Sequence, residues 1–108
     1  MSIINQSFQD FEIVNINDAS TQQTENILKK IQSTDKRIKL LSHSKYLSVY
    51  WSRIESIWNS RSKYILLIEP DDMYLNENLF SHLYYYNKKY NLDIMILKLI
   101  IFIILKTL

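Results

Sequence analysis

None of the 108 residues of this chain is glycine, so every backbone position that needs a positive φ must be filled by a residue with a side chain. Asn, Asp and Ser are the expected substitutes, at some cost in strain. At an average usage of about 7%, a chain of this length carries roughly seven or eight glycines. Abundant Ile, Lys, Asn and Tyr beside a single proline point to an AT-rich coding sequence, not to a functional demand. Turns are where this chain is expected to be strained.

The length fits one small domain or a piece of a larger one. Hydrophobic content of 47% and charged content of 22% describe a globular chain, which excludes wholesale disorder. A net charge of +2 with no run of Lys or Arg argues against nucleic acid as a partner. With no cysteine there is neither a disulfide framework nor a thiolate metal site. Residues 1–5 have neither a charged nor an apolar leader region, so no signal peptide is read. The compartment stays open, with cytoplasmic and membrane-peripheral locations as the two candidates. Residues 94–105 are apolar except for Lys98. That is about a dozen residues where a spanning helix needs ~20, so a buried strand or short core helix is expected there.

Short apolar runs alternate with helical stripes. Residues 11–16 read as a mostly buried parallel strand. Ser20 and Gln23 have capping-box spacing, and the helix after them presents Ile27, Leu28 and Ile31 on one face. Residues 38–41 form a second short strand. Leu47, Tyr50, Trp51, Ile54 and Trp58 then recur at helical spacing, a stripe wide enough to cover a sheet. Residues 64–68 are an uninterrupted apolar strand that Pro70 ends. Residues 77–90 give another helix with Leu79, Leu83, Tyr86 and Tyr90 inward, and Asp93 opens a final strand. This order implies right-handed crossovers and a parallel, Rossmann-like α/β sheet.

Two acidic stretches arrive at strand ends, Asn17-Asp18-Ala19-Ser20-Thr21 and Glu69-Pro70-Asp71-Asp72. In a parallel sheet both surface at the carboxyl edge, where open α/β folds bind nucleotides and metals. Gathered carboxylates repel one another unless a cation or ribose hydroxyls occupy the gap.

Those two stretches, with residues 6–14, Asp35-Lys36-Arg37-Ile38-Lys39, Ser52-Arg53 and Lys63-Tyr64-Ile65, resemble the N-terminal part of the family-two glycosyltransferases, which have the GT-A fold. The resemblance covers residues 6–95 as a partial domain and leaves 96–108 as an apolar tail. It implies that Asp18 recognises the base of a nucleotide-diphosphate sugar and that Arg53 contacts the nucleotide. The acidic stretch at 69–72 matches the family's D-x-D motif. Glu69 would approach the ribose and Asp71, with Asp72 beside it, would hold a divalent Mg²⁺ or Mn²⁺. A hard cation with oxygen ligands suits such a transfer, because a nucleoside diphosphate leaves and its charge must be neutralised.

Departures from the family pattern matter too. Glu69 stands where Asp is usual, and its extra methylene displaces the carboxylate or forces another rotamer. Ala19 stands where glycine is common, which is tolerable if that backbone keeps a negative φ. The opening central strand is expected to be absent, so its neighbours would each lose a hydrogen-bonding partner. The region of the catalytic base is expected to be absent as well. No catalytic residue is therefore assigned, and the isolated chain is expected to show no sugar transfer.

Plainer readings stand beside these. Asp18 would cap the following helix through Ser20 and Thr21. The stretch at 69–72 would be an exposed turn, since Pro-Asp initiates turns, and Arg53 a solvated side chain. A phosphoacceptor receiver domain would share the acidic edge but wants a Lys at a later strand end, and Lys98 is not so placed. Trp51, Trp58 and Tyr84-Tyr85-Tyr86 read as core and flank. His43 and His82 lack metal-ligand spacing and receive no role. Asn5-Gln6-Ser7 matches a glycosylation sequon, a motif frequent by chance. The rival function is a non-catalytic interaction or membrane-associated protein, pairing as a homo-oligomer or touching a membrane through an open sheet edge and the tail.

Overall fold

The computed structural model describes residues 2–69 and 71–93. Their elements run β1 (Ile13–Asp18), α1 (Gln22–Thr34), β2 (Ile38–His43), α2 (Val49–Asn59) and α3 (Leu79–Tyr90). The fold is α/β, with a small parallel two-stranded sheet flanked by helices. Two units make it up, residues 9–72 and the described residues of 1–8 together with those from 73 onward.

In the unit of residues 9–72, β1 and β2 pair in parallel from Ile13↔Ile38 to Asp18↔His43. Parallel neighbours need a crossover, and α1 supplies it. Its N-cap is Thr21, whose hydroxyl accepts the Thr24 N–H at 3.3 Å. This lies one residue beyond the expected Ser20–Gln23 box. Ser20 is occupied elsewhere, donating from both its backbone N–H and its hydroxyl to Oδ1 of Asn17, which is itself buried. That small loop bends the chain through Ala19 at φ 55, so the expected negative φ is not found there. Of the face expected to pack inward, Leu28 and Ile31 are half-buried while Ile27 is exposed.

Asp35, just past α1, grips Arg37 from Oδ1 and Oδ2 at 3.0 and 2.6 Å. Hydrogen bonds from the Arg37 side chain and N–H hold its carboxyl down at about 2. The Arg37 guanidinium also lies over the Phe11 ring at 4.3 Å. These contacts tie the approach to β1 to the start of β2, where Ile38 is one of the buried apolar residues.

Helix α2 turns the opposite way from the expected one. Ser52, Glu55, Ser56 and Asn59, spaced as one helical face, are half-buried together with Ile54. Tyr50, Trp51 and Trp58 point to solvent, Trp58 with 83% of its surface exposed. The helix packs on β1, and its Ser52 and Glu55 face Asp18 of β1 and His43 of β2, so its polar face turns inward.

Residues 64–68 are not a strand. A strand persists only through a neighbour's ladder of hydrogen bonds, and among the described residues none pairs with this run. Its first four side chains are between 41% and 52% exposed.

In the other unit, Gln6 is the anchor, 1% exposed. Its amide donates to the carbonyls of Asn76 at 2.8 Å and Ser2 at 3.2 Å, and its Oε1 accepts the Phe80 N–H at 3.0 Å. It thus accepts from a donor of the first turn of α3, where helical N–H groups look outside the helix for acceptors. Ser7 adds bonds to Asn78 and Ser81. Leu79 is buried and Leu83 half-buried, but Tyr86 and Tyr90, expected inside, are exposed and stacked on each other. Asn91 ends the helix in the left-handed conformation at φ 49, a role Asn fills when Gly is absent. The expected final strand and the apolar tail lie outside the described residues. Among the described residues no helix is long and apolar enough to cross a membrane.

Candidate functional site

Asp18 is the last residue of β1, and parallel pairing places His43 of β2 directly beside it. Asp18 Oδ1 lies 3.0 Å from His43 Nδ1 and accepts the Leu47 N–H at 2.8 Å. Oδ2 accepts the Ser48 N–H at 2.9 Å. Asp18 therefore does not cap α1. It organises the loop between β2 and α2, receiving the two N–H groups that lead into that helix. Ser48, the α2 N-cap, stands at φ 90 and ψ 158 and makes no side-chain cap bond. Asp18 fixes the chain just before that helix from a neighbouring strand.

The other ring nitrogen of His43, Nε2, meets Glu55 Oε2 of α2. The His43 side chain is 12% exposed, so the three groups form a largely enclosed Asp–His–Glu row across β1, β2 and α2. Burial disfavours the Asp18 charge, but hydrogen bonds from His43, Leu47 and Ser48 outweigh it and hold its carboxyl below the ordinary value. The Asp18 hydrogen bond, against some burial and with help from Glu55, raises the His43 imidazole above its ordinary value. Ser52 Oγ is buried without a hydrogen-bond partner in standard geometry, yet it sits close enough to Asp18 to favour its charge.

One residue along α2 from Ser52, Arg53 forms an ion pair with Glu69 through Nη2 and Oε1. The longer Glu side chain thus reaches the guanidinium. Both side chains stay nearly half exposed. A hydrogen bond from the Asp72 N–H to the Glu69 carbonyl, 3.1 Å, closes the second acidic stretch into a turn. Asp71 and Asp72 are exposed at it. Consecutive α2 residues therefore serve two clusters, Ser52 with Glu55 toward Asp18 and His43, and Arg53 toward Glu69.

Among the described residues no three carboxylate or imidazole groups converge to hold a cation. Asp71 offers one free carboxylate, which fits Mg²⁺ or Mn²⁺ only where phosphate oxygens and water complete the shell. A cavity of about 560 Å³ lies at the other, amino end of the strands, lined by Glu12, Lys36, Arg37, Lys39 and Arg61 among others, and is separate from these groups.

Sequence reasoning singled out Asp18, Arg53, Glu69 and Asp71 but passed over His43 and Glu55. The second strand was read as ending at Leu41, two residues short of His43. Carrying β2 on by two more pairs, through Ser42 to His43, would have aligned His43 with Asp18.

The profile of Glycosyl transferase family 2 matches residues 1–103. An uncharacterized glycosyltransferase of Methanocaldococcus jannaschii is 30% identical over 95 residues, 87% of this chain and 33% of that protein. One of Haemophilus influenzae is 38% identical over 72 residues, 67% of this chain and 22% of its own length. The bifunctional glycosyltransferase pgtA of Dictyostelium discoideum is 33% identical over 98 residues, 87% of this chain and 13% of that protein. The chain thus spans a third or less of these relatives.

Proposed function

Because this chain belongs to glycosyl transferase family 2, we propose that residues 9–72 bind the nucleotide-diphosphate part of a sugar donor through Asp18, Arg53 and Glu69. The observation that carries this reading is the Arg53–Glu69 ion pair. It joins a cation suited to diphosphate oxygens with a carboxylate suited to ribose hydroxyls, and both stay accessible. Asp18, an ionised carboxylate at neutral pH, is an acceptor for a base N–H.

Asp71 would hold Mg²⁺ or Mn²⁺ together with the diphosphate. When bound, the cation neutralises charge that develops on the departing nucleoside diphosphate. The part of the reaction belonging to these residues is binding and orientation. Arg53 turns from Glu69 toward phosphate, and Glu69 is then free to accept from the ribose. Sugar transfer itself is the reaction class proposed for the protein in which this segment acts.

Calorimetry with UDP and GDP in the presence of Mn²⁺ tests the reading. Binding should weaken at least tenfold in both Arg53→Ala and Asp71→Ala. An exposed ion pair contributes only about 0–1 kcal/mol to stability, so Arg53→Ala should remain folded. Absence of heat at millimolar nucleotide, or binding indifferent to both substitutions, overturns the reading.

A second reading rests on the outward face of α2. Tyr50, Trp51, Ile57 and Trp58 together expose more apolar surface than isolated surface residues need, as an interaction module would. Sedimentation separates the two. Self-association lost in a Trp51→Ser, Trp58→Ser chain, without nucleotide binding, favours the second.

A further inference from the structure

The Asp–His–Glu row has a property that donor binding alone does not call for. A carboxylate only accepts hydrogen bonds, and His43 faces one on each ring nitrogen. Both contacts are hydrogen bonds only when both nitrogens carry hydrogen, that is, when the ring is an imidazolium. A neutral ring would turn one lone pair toward a carboxylate oxygen. We infer that His43 is a positioning residue whose doubly protonated ring ties Asp18 to Glu55, fixing the donor-facing carboxylate, and that loss of one proton loosens the site. This rests on the reading of Asp18 as a donor-binding group.

The arrangement leaves little ambiguity about what the proton does. Among the described residues the charged groups facing the ring are Asp18 from β1 and Glu55 from α2. The loop contributes only the N–H groups of Leu47 and Ser48, and these bind Asp18. With the proton the row carries one net negative charge. Without it the row carries two, with no cation between them. The same side chain that aims at the donor also holds the entry to α2, so a loosened Asp18 shifts Ser52 and Arg53 with it. Both ring nitrogens are occupied, so His43 is not placed to serve as a general base. Its part is orientation.

The experiment is a pH titration of the His43 ring by nitrogen-correlated NMR, with and without UDP and Mn²⁺. His43 should titrate above its ordinary 6.5, and Asp18→Asn and Glu55→Gln should each lower its midpoint. UDP affinity should fall about tenfold between about pH 6 and about pH 9, the size expected for a hydrogen bond between charged groups. His43→Gln should flatten that profile without unfolding the chain, judged by its far-ultraviolet dichroism. A midpoint at or below the ordinary value, or UDP affinity with the same pH profile in His43→Gln, overturns the inference. A raised midpoint that falls in both variants while UDP gives no heat at any pH overturns the donor reading and leaves the tie between Asp18 and Glu55 standing.

Discussion

Asp18 and His43 share the last register position of the parallel strand pair, and their side chains meet there at 3.0 Å. Cross-strand neighbours at the carboxyl edge of a sheet are held at fixed spacing by the backbone ladder. The contact is therefore set by the register, and any slip of one residue would carry both groups to opposite faces.

Stability should depend on pH in two opposed directions. Asp18 lies below its ordinary 3.8 in the folded chain, so its contribution is present above that value and disappears as pH falls through the lowered one. His43 is raised, so its contribution is complete below 6.5 and is lost as pH climbs through the raised value. Urea midpoints should be highest between 3.8 and 6.5; Asp18→Asn should flatten the alkaline limb and only reduce the acid one, which the lowered carboxyls of Asp35 and Glu12 also drive.

Two substitutions should stabilise the chain by restoring the missing glycine. Ser48 sits at φ 90 and ψ 158, a region that is nearly glycine-only and costs other residues about 1–3 kcal/mol. Glycine adds about 0.4–1 kcal/mol of unfolded-state freedom in return. Ser48→Gly should therefore gain about 1 kcal/mol by chemical denaturation. Ala19→Gly, at φ 55, should gain somewhat less.

Trp58 should be dispensable for folding. Exposed substitutions away from specific contacts change stability by about 0.5 kcal/mol or less, so Trp58→Ser should leave the denaturation midpoint where it is. Iodide should quench much of the native tryptophan emission. A large destabilisation would mean that the aromatic face of α2 is the packed one.

Gln6→Ala should destabilise the unit that contains α3. It removes the acceptor of the Phe80 N–H and the donor to the Asn76 carbonyl, at about 0.5–1.5 kcal/mol for each hydrogen bond lost. Hydrogen exchange at the Phe80 amide should accelerate correspondingly, and Gln6→Leu should not rescue it.

The alternation of strand and helix over residues 11–59 was legible because α1 and β2 have distinct periods and polar boundaries. The orientation of α2 was not. Hydrophobic spacing marks a face, but the neighbour decides which face is inside, and here the neighbour is the hydrogen-bonded row of Asp18 and His43. Residues 64–68 show the same limit, since composition reports readiness to pair while a ladder needs a partner. The expected substitutes for glycine were right for Ser48 and Asn91, but not for Ala19. There the turn is enforced by Asn17 gripping Ser20, a contact with no counterpart in local propensity. Asp18 and Arg53 were singled out from motif order. His43 emerged only when strand register gave it a neighbour.

The Tyr-Ile-Leu-Leu-Ile run at 64–68 has a consequence for handling as well as for fold. Uncharged, rich in β-forming side chains and about half exposed over its first four residues, it has the makings of a self-templating zipper. Concentrated stocks should ripen into thioflavin-staining fibres seeded there. A Leu66→Lys gatekeeper should keep them clear, which makes shelf life a matter of five side chains remote in sequence from Asp18.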